Sequence, residues 1–162
     1  MPSDLRTLHI TAVTPQHLDE RVRPITANDS VDLAVAYLHA YPPEVGAPHL
    51  NAADAEIADT FAGVYGELVP SACLGAELDG HVVGAVFTTT RSLWDEIDGP
   101  FIIDLFVHPD HRGRGLARAL VEAAIQACAK LGADAVSLRV GEGTSPAAHA
   151  LYAHLGFVEP EG

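Results

Sequence analysis

Arg112, Gly113, Arg114 and Gly115 stand just before a run whose apolar positions, Leu116, Leu120, Ala124, Ala127 and Leu131, recur at helical spacing. A glycine-rich turn opening a helix points several unpaired backbone N–H groups at one place, beside the positive end of the helix dipole. Such a place suits a phosphate. The stretch before the turn, Phe101 to Val107, is apolar except for Asp104, and the run stops at Pro109, which cannot donate to a sheet ladder. A carboxylate inside an apolar strand is costly to bury unless it is paired or functional. His108, Asp110 and His111 imitate a metal site in composition, yet a tight His-x-x-His on a loop without further ligands is a poor one. No Ser/His/Asp or Cys/His set stands out.

Three readings compete for the glycine-rich residues. A dinucleotide fingerprint requires a third glycine where Arg118 stands, and it follows its strand directly, whereas five residues separate Val107 from Gly113 here. A phosphate loop of the Walker type requires Gly-Lys-Ser or Gly-Lys-Thr, which is absent. A purely structural turn leaves unexplained why three arginines and a helix N-terminus coincide.

The elements that must position this turn are legible around it. An α/β domain with a mixed sheet is expected over residues 1–162. Residues 1–20 form an N-terminal segment with a marginal extra strand at 7–13, TLHITAV. A helix is expected from Ser30 to His39, with Val31, Ala34, Val35 and Leu38 inward, capped by Asn28 or Asp29 and stopped by Pro42-Pro43. A second is expected from Asp54 to Tyr65, with Ile57, Phe61, Val64 and Tyr65 inward. CLGAEL and VVGAVFTTT, joined by Asp79-Gly80, read as a hairpin. Gly132 ends the helix after the glycine turn, residues 135–140 form a strand, and Ser145-Pro146 opens a last helix. A further strand is expected from Phe157.

At 162 residues and 48% apolar composition, the chain can build a substantial core. Its charge of −13, with Lys130 the one lysine beside eight arginines, argues against nucleic acid. No apolar run nears the ~20 residues that cross a bilayer, and no signal-peptide core opens the chain, so a cytoplasmic protein without a membrane partner is expected. Cys73 and Cys128 are expected to be reduced and buried.

Residues 107–117, VHPDHRGRGLA, resemble the acetyl-CoA signature of the GNAT superfamily of N-acetyltransferases, in which Gln or Arg, two residues, Gly, one residue, then Gly or Ala recur. Arg112, Gly115 and Ala117 fill that pattern. Ala148, Leu151, Tyr152 and Leu155-Gly156-Phe157 are similar to a second family segment, A-x-x-L-Y-x-x-x-G-F, at the expected distance. The two segments lie in register across residues 101–158.

The resemblance implies a mostly antiparallel mixed sheet that splays between the strands near 101–107 and 135–140, flanked by about four helices. It implies acetyl-CoA as cosubstrate in that cleft, without a metal. The pantetheine would pair with the backbone of Leu105, Phe106 and Val107. The pyrophosphate would lie on the amides of Arg112, Gly113, Arg114, Gly115, Leu116, Ala117 and Arg118, whose arginines attract the polyanion within an acidic chain. Ser145 stands where relatives often carry a cofactor-contacting asparagine. The reaction implied is acetyl transfer to a primary amine by direct attack in a ternary complex. Tyr152 matches the family tyrosine often given the role of general acid, and Asp104 is the candidate base, with pairing to an arginine or loop amides as the other role for its carboxylate. The acceptor is a small-molecule or peptide amine. Glu44, Asp54, Asp95, Glu96 and Asp98 would make the acceptor mouth acidic and favour a cationic one. The alternative is a non-catalytic acyl-CoA-binding or regulatory domain of the same fold. The family usually adds a strand after the one beginning at Phe157, for which little sequence remains; TLHITAV or a strand from a homodimer partner is expected to cover that edge.

Overall fold

The computed structural model describes residues 4–10, 18–141 and 144–160. It holds a six-stranded sheet of β1 (Leu5–His9), β2 (Val22–Pro24), β3 (Leu74–Leu78), β4 (His81–Thr89), β5 (Phe101–Val107) and β6 (Ala135–Arg139), in spatial order β1-β6-β5-β4-β3-β2. Every neighbouring pair is antiparallel except β5 with β6. Four helices flank it: α1 (Ser30–Ala40), α2 (Leu50–Phe61), α3 (Leu116–Lys130) and α4 (Pro146–Leu155). The α/β class, the mostly antiparallel sheet and the helix number agree with expectation. Among the described residues, no helix is long and apolar enough to cross a membrane.

Each face of the sheet has its own core. Leu33, Ala34, Ala53 and Ile57 of α1 and α2 pack with Phe87 and Phe106, while Leu116, Leu120, Ala124 and Cys128 of α3 pack with Ile102, Val86 and Val136. Cys73 and Cys128 are free and buried, and burial pushes both thiols up to about 11.

Two irregularities of β5 shape the space beside it. The parallel pairing with β6 extends over only Phe101↔Ser137 and Ile102↔Leu138, after which the strands part. Against β4, Phe87 faces Asp104 while Thr88 faces Ile102, so Ile103 is an extra residue, a β-bulge. The bulge reverses the alternation. Ile102 belongs to the α3-side core, whereas Phe106, four residues on, belongs to the α1–α2 side. Asp104 turns with Phe106 toward α1.

Several sequence expectations need correction. α2 begins at Leu50, where the His49 side chain accepts from the Ala52 N–H (3.1 Å), and it ends at Phe61, before Gly63 at φ 82°. Val64 therefore lies beyond the helix and is exposed. α1 buries Leu33, Ala34, Ala36 and Tyr37, while Val31 and Val35 of the expected stripe face out. Apolar residues surround this helix on all sides, so periodicity alone could not choose a face; Tyr37, packed on the Phe106 ring at 5.5 Å, does. Leu131 caps α3 and is exposed. β2 has no counterpart among the expected elements; it is a three-residue edge strand ending in proline, where a missing N–H is tolerated.

The expected strand from Phe157 is reduced to one bridge. Thr7 N–H donates to the Val158 carbonyl (2.8 Å) and Val158 N–H to the Thr7 carbonyl (3.0 Å). β1 itself pairs with all five residues of β6, so the N-terminal segment covers that edge. Residues 11–13 of the expected strand and 142–143 of the loop before α4 lie outside the described residues.

Candidate active site

Where β5 and β6 part, a cleft of about 460 Å³ opens. Its floor is Ile102 to Phe106 of β5, and its walls carry Tyr37, Tyr41 and Val45 from the end of α1 and the following loop. Glu56 and Thr60 of α2 line it, with Tyr65, Trp94, Arg139, and Ala148 and Tyr152 of α4.

Asp104 lies at the centre. The Tyr41 hydroxyl is 2.5 Å from its Oδ1 and 2.9 Å from the Leu105 carbonyl oxygen. Loss of water around the carboxylate raises its pKa to about 6; the bonds from Tyr41 and the Leu105 amide oppose that, and the charge of Glu56 adds to it. Such a carboxyl is about nine-tenths ionised at pH 7 and close to the affinity best suited to receiving a proton there.

Tyr152 is buried, its ring edge-on to Phe157 at 5.8 Å. Its hydroxyl has no hydrogen bond within the protein among the described residues. Burial, then the charge of Asp104, pushes its pKa well above the usual tyrosine range. Tyr37 and Tyr41 are raised for the same two leading reasons. All three therefore keep their protons at neutral pH.

A groove of about 330 Å³ continues from the cleft, sharing Leu105, Phe106, Ser145 and Ala148 with it. The expected cofactor residues from Leu105 to Val107 and from Arg112 to Arg118, Arg114 excepted, line it. Gly113 and Gly115 have φ of 81° and 75°, and Gly115 caps α3 with no side chain. A Cβ at either position would meet nothing within 4 Å, so these glycines provide backbone angle and open space rather than packing. The N–H groups of residues 113 to 118 have no partner among the described residues. Five of these residues, Gly113 and Gly115 to Arg118, line the open groove, and free donors gathered at a helix start fit a diphosphate.

The arginines are more committed than the sequence suggested. Arg112 donates to the Ala40 carbonyl (3.0 Å), and Arg118 pairs with Glu122 (2.8 Å). Arg114 does not line the groove, and its carbonyl accepts from Arg21 (3.0 Å). Arg112 and Arg118 keep their charges at the groove while part of each fork is engaged. The Ser145 oxygen accepts from the Ala148 N–H (3.1 Å) as the α4 cap, which leaves its own proton free to donate.

The expected acidic mouth is misplaced. Glu44, Asp54, Asp95, Glu96 and Asp98 do not line the cleft; Glu56 and Asp104 are its carboxylates. Asp95 is bonded to the Arg139 guanidinium and to Ser92, which holds the Trp94 loop against β6. Tyr37, Tyr41, Glu56 and Arg139 carry no mark in the sequence that singles them out as site residues. The signal available for Tyr41 is an aromatic residue at a helix end, immediately before Pro42-Pro43.

The family model of the acetyltransferase (GNAT) family matches residues 34–157. No curated protein matches the chain. Among solved structures, a GNAT-family acetyltransferase from Novosphingobium aromaticivorans is similar at 20% identity and a TM-score of 0.63, over 97% of this chain and 60% of the other. A GCN5-related N-acetyltransferase from Sphaerobacter thermophilus is similar at 20% identity and 0.68, over 99% and 50%. This chain thus spans about half to three fifths of those two proteins. The paia N-acetyltransferase from Thermoplasma acidophilum, in complex with coenzyme A, is similar at 16% identity and 0.61, over 85% and 88%. At these identities the likeness speaks for the fold, and the match over residues 34–157 speaks for the lineage: the chain belongs to the acetyltransferase (GNAT) family.

Proposed function

We propose that residues 1–162 form one N-acetyltransferase domain that moves the acetyl group of acetyl-CoA to a primary amine by direct attack in a ternary complex. One observation carries this reading: the amide-lined groove opens into a cleft that holds a proton acceptor, Asp104, and a free proton donor, Tyr152.

Acetyl-CoA supplies an activated acetyl thioester. The amides of Gly113 and of Gly115 to Arg118 hold its diphosphate, and the pantetheine runs along Leu105 to Val107 past Ser145 toward the cleft. Leu105 contributes less than the family resemblance implies, because its carbonyl already faces Tyr41. An alkyl ammonium of pKa ~10.4 is neutral in about one molecule in 2,500 at pH 7, a penalty of about 4.6 kcal/mol. Asp104 takes a proton from the amine as the N–C bond forms. The C–S bond breaks, and Tyr152 gives its proton to the departing sulfur.

The cleft favours a cationic acceptor. Glu56 and Asp104 are its carboxylates, Arg139 is neutralised by Asp95, and four aromatic residues, Tyr37, Tyr41, Tyr65 and Trp94, line it.

Purified protein is expected to release free CoA from acetyl-CoA in the presence of a primary amine, read as new thiol. Binding of acetyl-CoA without release across a broad amine panel would instead mark the non-catalytic acyl-CoA-binding alternative. Gly115→Ala tests the diphosphate placement. At φ 75° an alanine is strained by about 1–2 kcal/mol, and its methyl group stands at the groove. Calorimetry is expected to give about tenfold weaker CoA binding; unchanged affinity would move the diphosphate elsewhere.

A further inference from the structure

Tyr41 ends α1 and precedes Pro42, and its ring is held edge-on between Tyr37 (5.2 Å) and Phe106 (6.3 Å). Packing therefore fixes where the hydroxyl lies, 2.5 Å from Asp104 Oδ1 and 2.9 Å from the Leu105 carbonyl. A hydroxyl carries one proton and also accepts, so Tyr41 can donate to only one of these oxygens at a time. With Asp104 ionised, the proton belongs on Oδ1. With Asp104 protonated at Oδ1, the carboxyl donates to Tyr41 Oη and the phenolic proton turns to the Leu105 carbonyl. Each arrangement satisfies the carboxyl and the phenol, which matters in a desolvated place where an unpaired polar group is penalised.

We propose that Tyr41 is the positioning residue for Asp104: it fixes the carboxylate on the β5 bulge and, by turning one proton between Oδ1 and the Leu105 carbonyl, lets Asp104 change protonation state without leaving either group unpaired. The inference rests on the acetyl-transfer reading for its catalytic consequence, but not for the geometry. The groups facing Asp104 are Tyr37 and Tyr41 at α1, Glu56 and Tyr65 at α2, and Tyr152 on α4, while Arg139 of β6 lines the same cleft paired to Asp95. Among these, Tyr41 is the hydrogen-bond donor to the carboxylate.

The test is Tyr41→Phe, which keeps the ring contacts and removes the hydroxyl. That bond favours the ionised form, so its loss raises the proton affinity of Asp104. Carboxyl-labelled aspartate, followed by ¹³C chemical shift with Asp104→Asn used for assignment, is expected to titrate about one pH unit higher in Tyr41→Phe, a tenfold change. The rising limb of kcat against pH is expected to move up by the same amount. An Asp104 midpoint unchanged by Tyr41→Phe overturns the proposal, even if kcat falls uniformly, as it would for a structural residue. A midpoint that moves without the rate limb following it supports the hold of Tyr41 on Asp104 and overturns its catalytic consequence, by showing that Asp104 is not the base. If no amine yields CoA release, the acetyl-transfer reading fails separately, and the shift titration alone still decides whether Tyr41 holds Asp104.

Discussion

Asp104→Asn is expected to lower kcat by about 10²–10⁴-fold, the usual contribution of a positioned general base, and at the same time to stabilise the fold at neutral pH. The second effect comes from the environment that makes Asp104 useful. Its pKa rises from 3.8 to about 6 on folding, because the β5 bulge places it in a desolvated cleft. An acid whose folded-state pKa is raised contributes its full stability below the unfolded value and loses it as pH rises through the folded one. The wild-type chain is therefore penalised above pH 6 by up to about 3 kcal/mol, with solvent access through the cleft reducing that figure. Asparagine keeps an oxygen for Tyr41 and carries no charge. Urea denaturation at pH 4 and pH 8 is the measurement. The gain of the variant over wild type should grow between the two, and the difference isolates the charge, since any misfit of the amide is common to both. A gain that is equal at both pH values, or retained activity, would remove Asp104 from the role given to it.

Asp104 is legible in the sequence but its partner is not, and the reason is physical. The glycine turn, α3 and the limits of β5 depend on neighbouring residues: two glycines, a proline and a helical period. Tyr41 meets Asp104 across 63 residues, and only tertiary packing brings them together. The bulge at Ile103 has no local marker, so simple alternation places Asp104 on the same face as Ile102. The acidic mouth fails for a similar reason: composition reveals how many carboxylates a loop carries, but not that Arg139 engages Asp95 while Glu56 turns inward from a helix. The weak alternation of TLHITAV is enough to suggest an edge cover. That Phe157 leads into one bridge instead of a strand depends on β1 already occupying the β6 edge.

Tyr152→Phe is expected to lower kcat about 10²-fold or more while leaving acetyl-CoA affinity within about twofold. The affinity is spared because the ring contact with Phe157 is retained and the hydroxyl has no protein partner to lose among the described residues. In the proposed reaction the rate falls because the departing thiolate loses its donor. A tyrosine with a raised pKa is at first sight a poor acid for a thiolate whose ordinary pKa is near 8.5. Two features close that gap. Burial raises thiols as well as phenols, as Cys73 and Cys128 show by their rise to about 11, so a sulfur leaving inside the cleft holds its proton more tightly than in water. The charge of Asp104 is also one of the causes that raise Tyr152. In the proposed reaction that charge disappears when Asp104 accepts the amine proton, and Tyr152 becomes the stronger acid as the thiolate forms. The coupling gives the prediction a second arm: the penalty of Tyr152→Phe should shrink with an acetyl thioester whose thiol has a low pKa, because that leaving group needs less help. If affinity falls while kcat holds, Tyr152 is a binding or packing residue, and a penalty independent of the leaving group would exclude proton donation to sulfur.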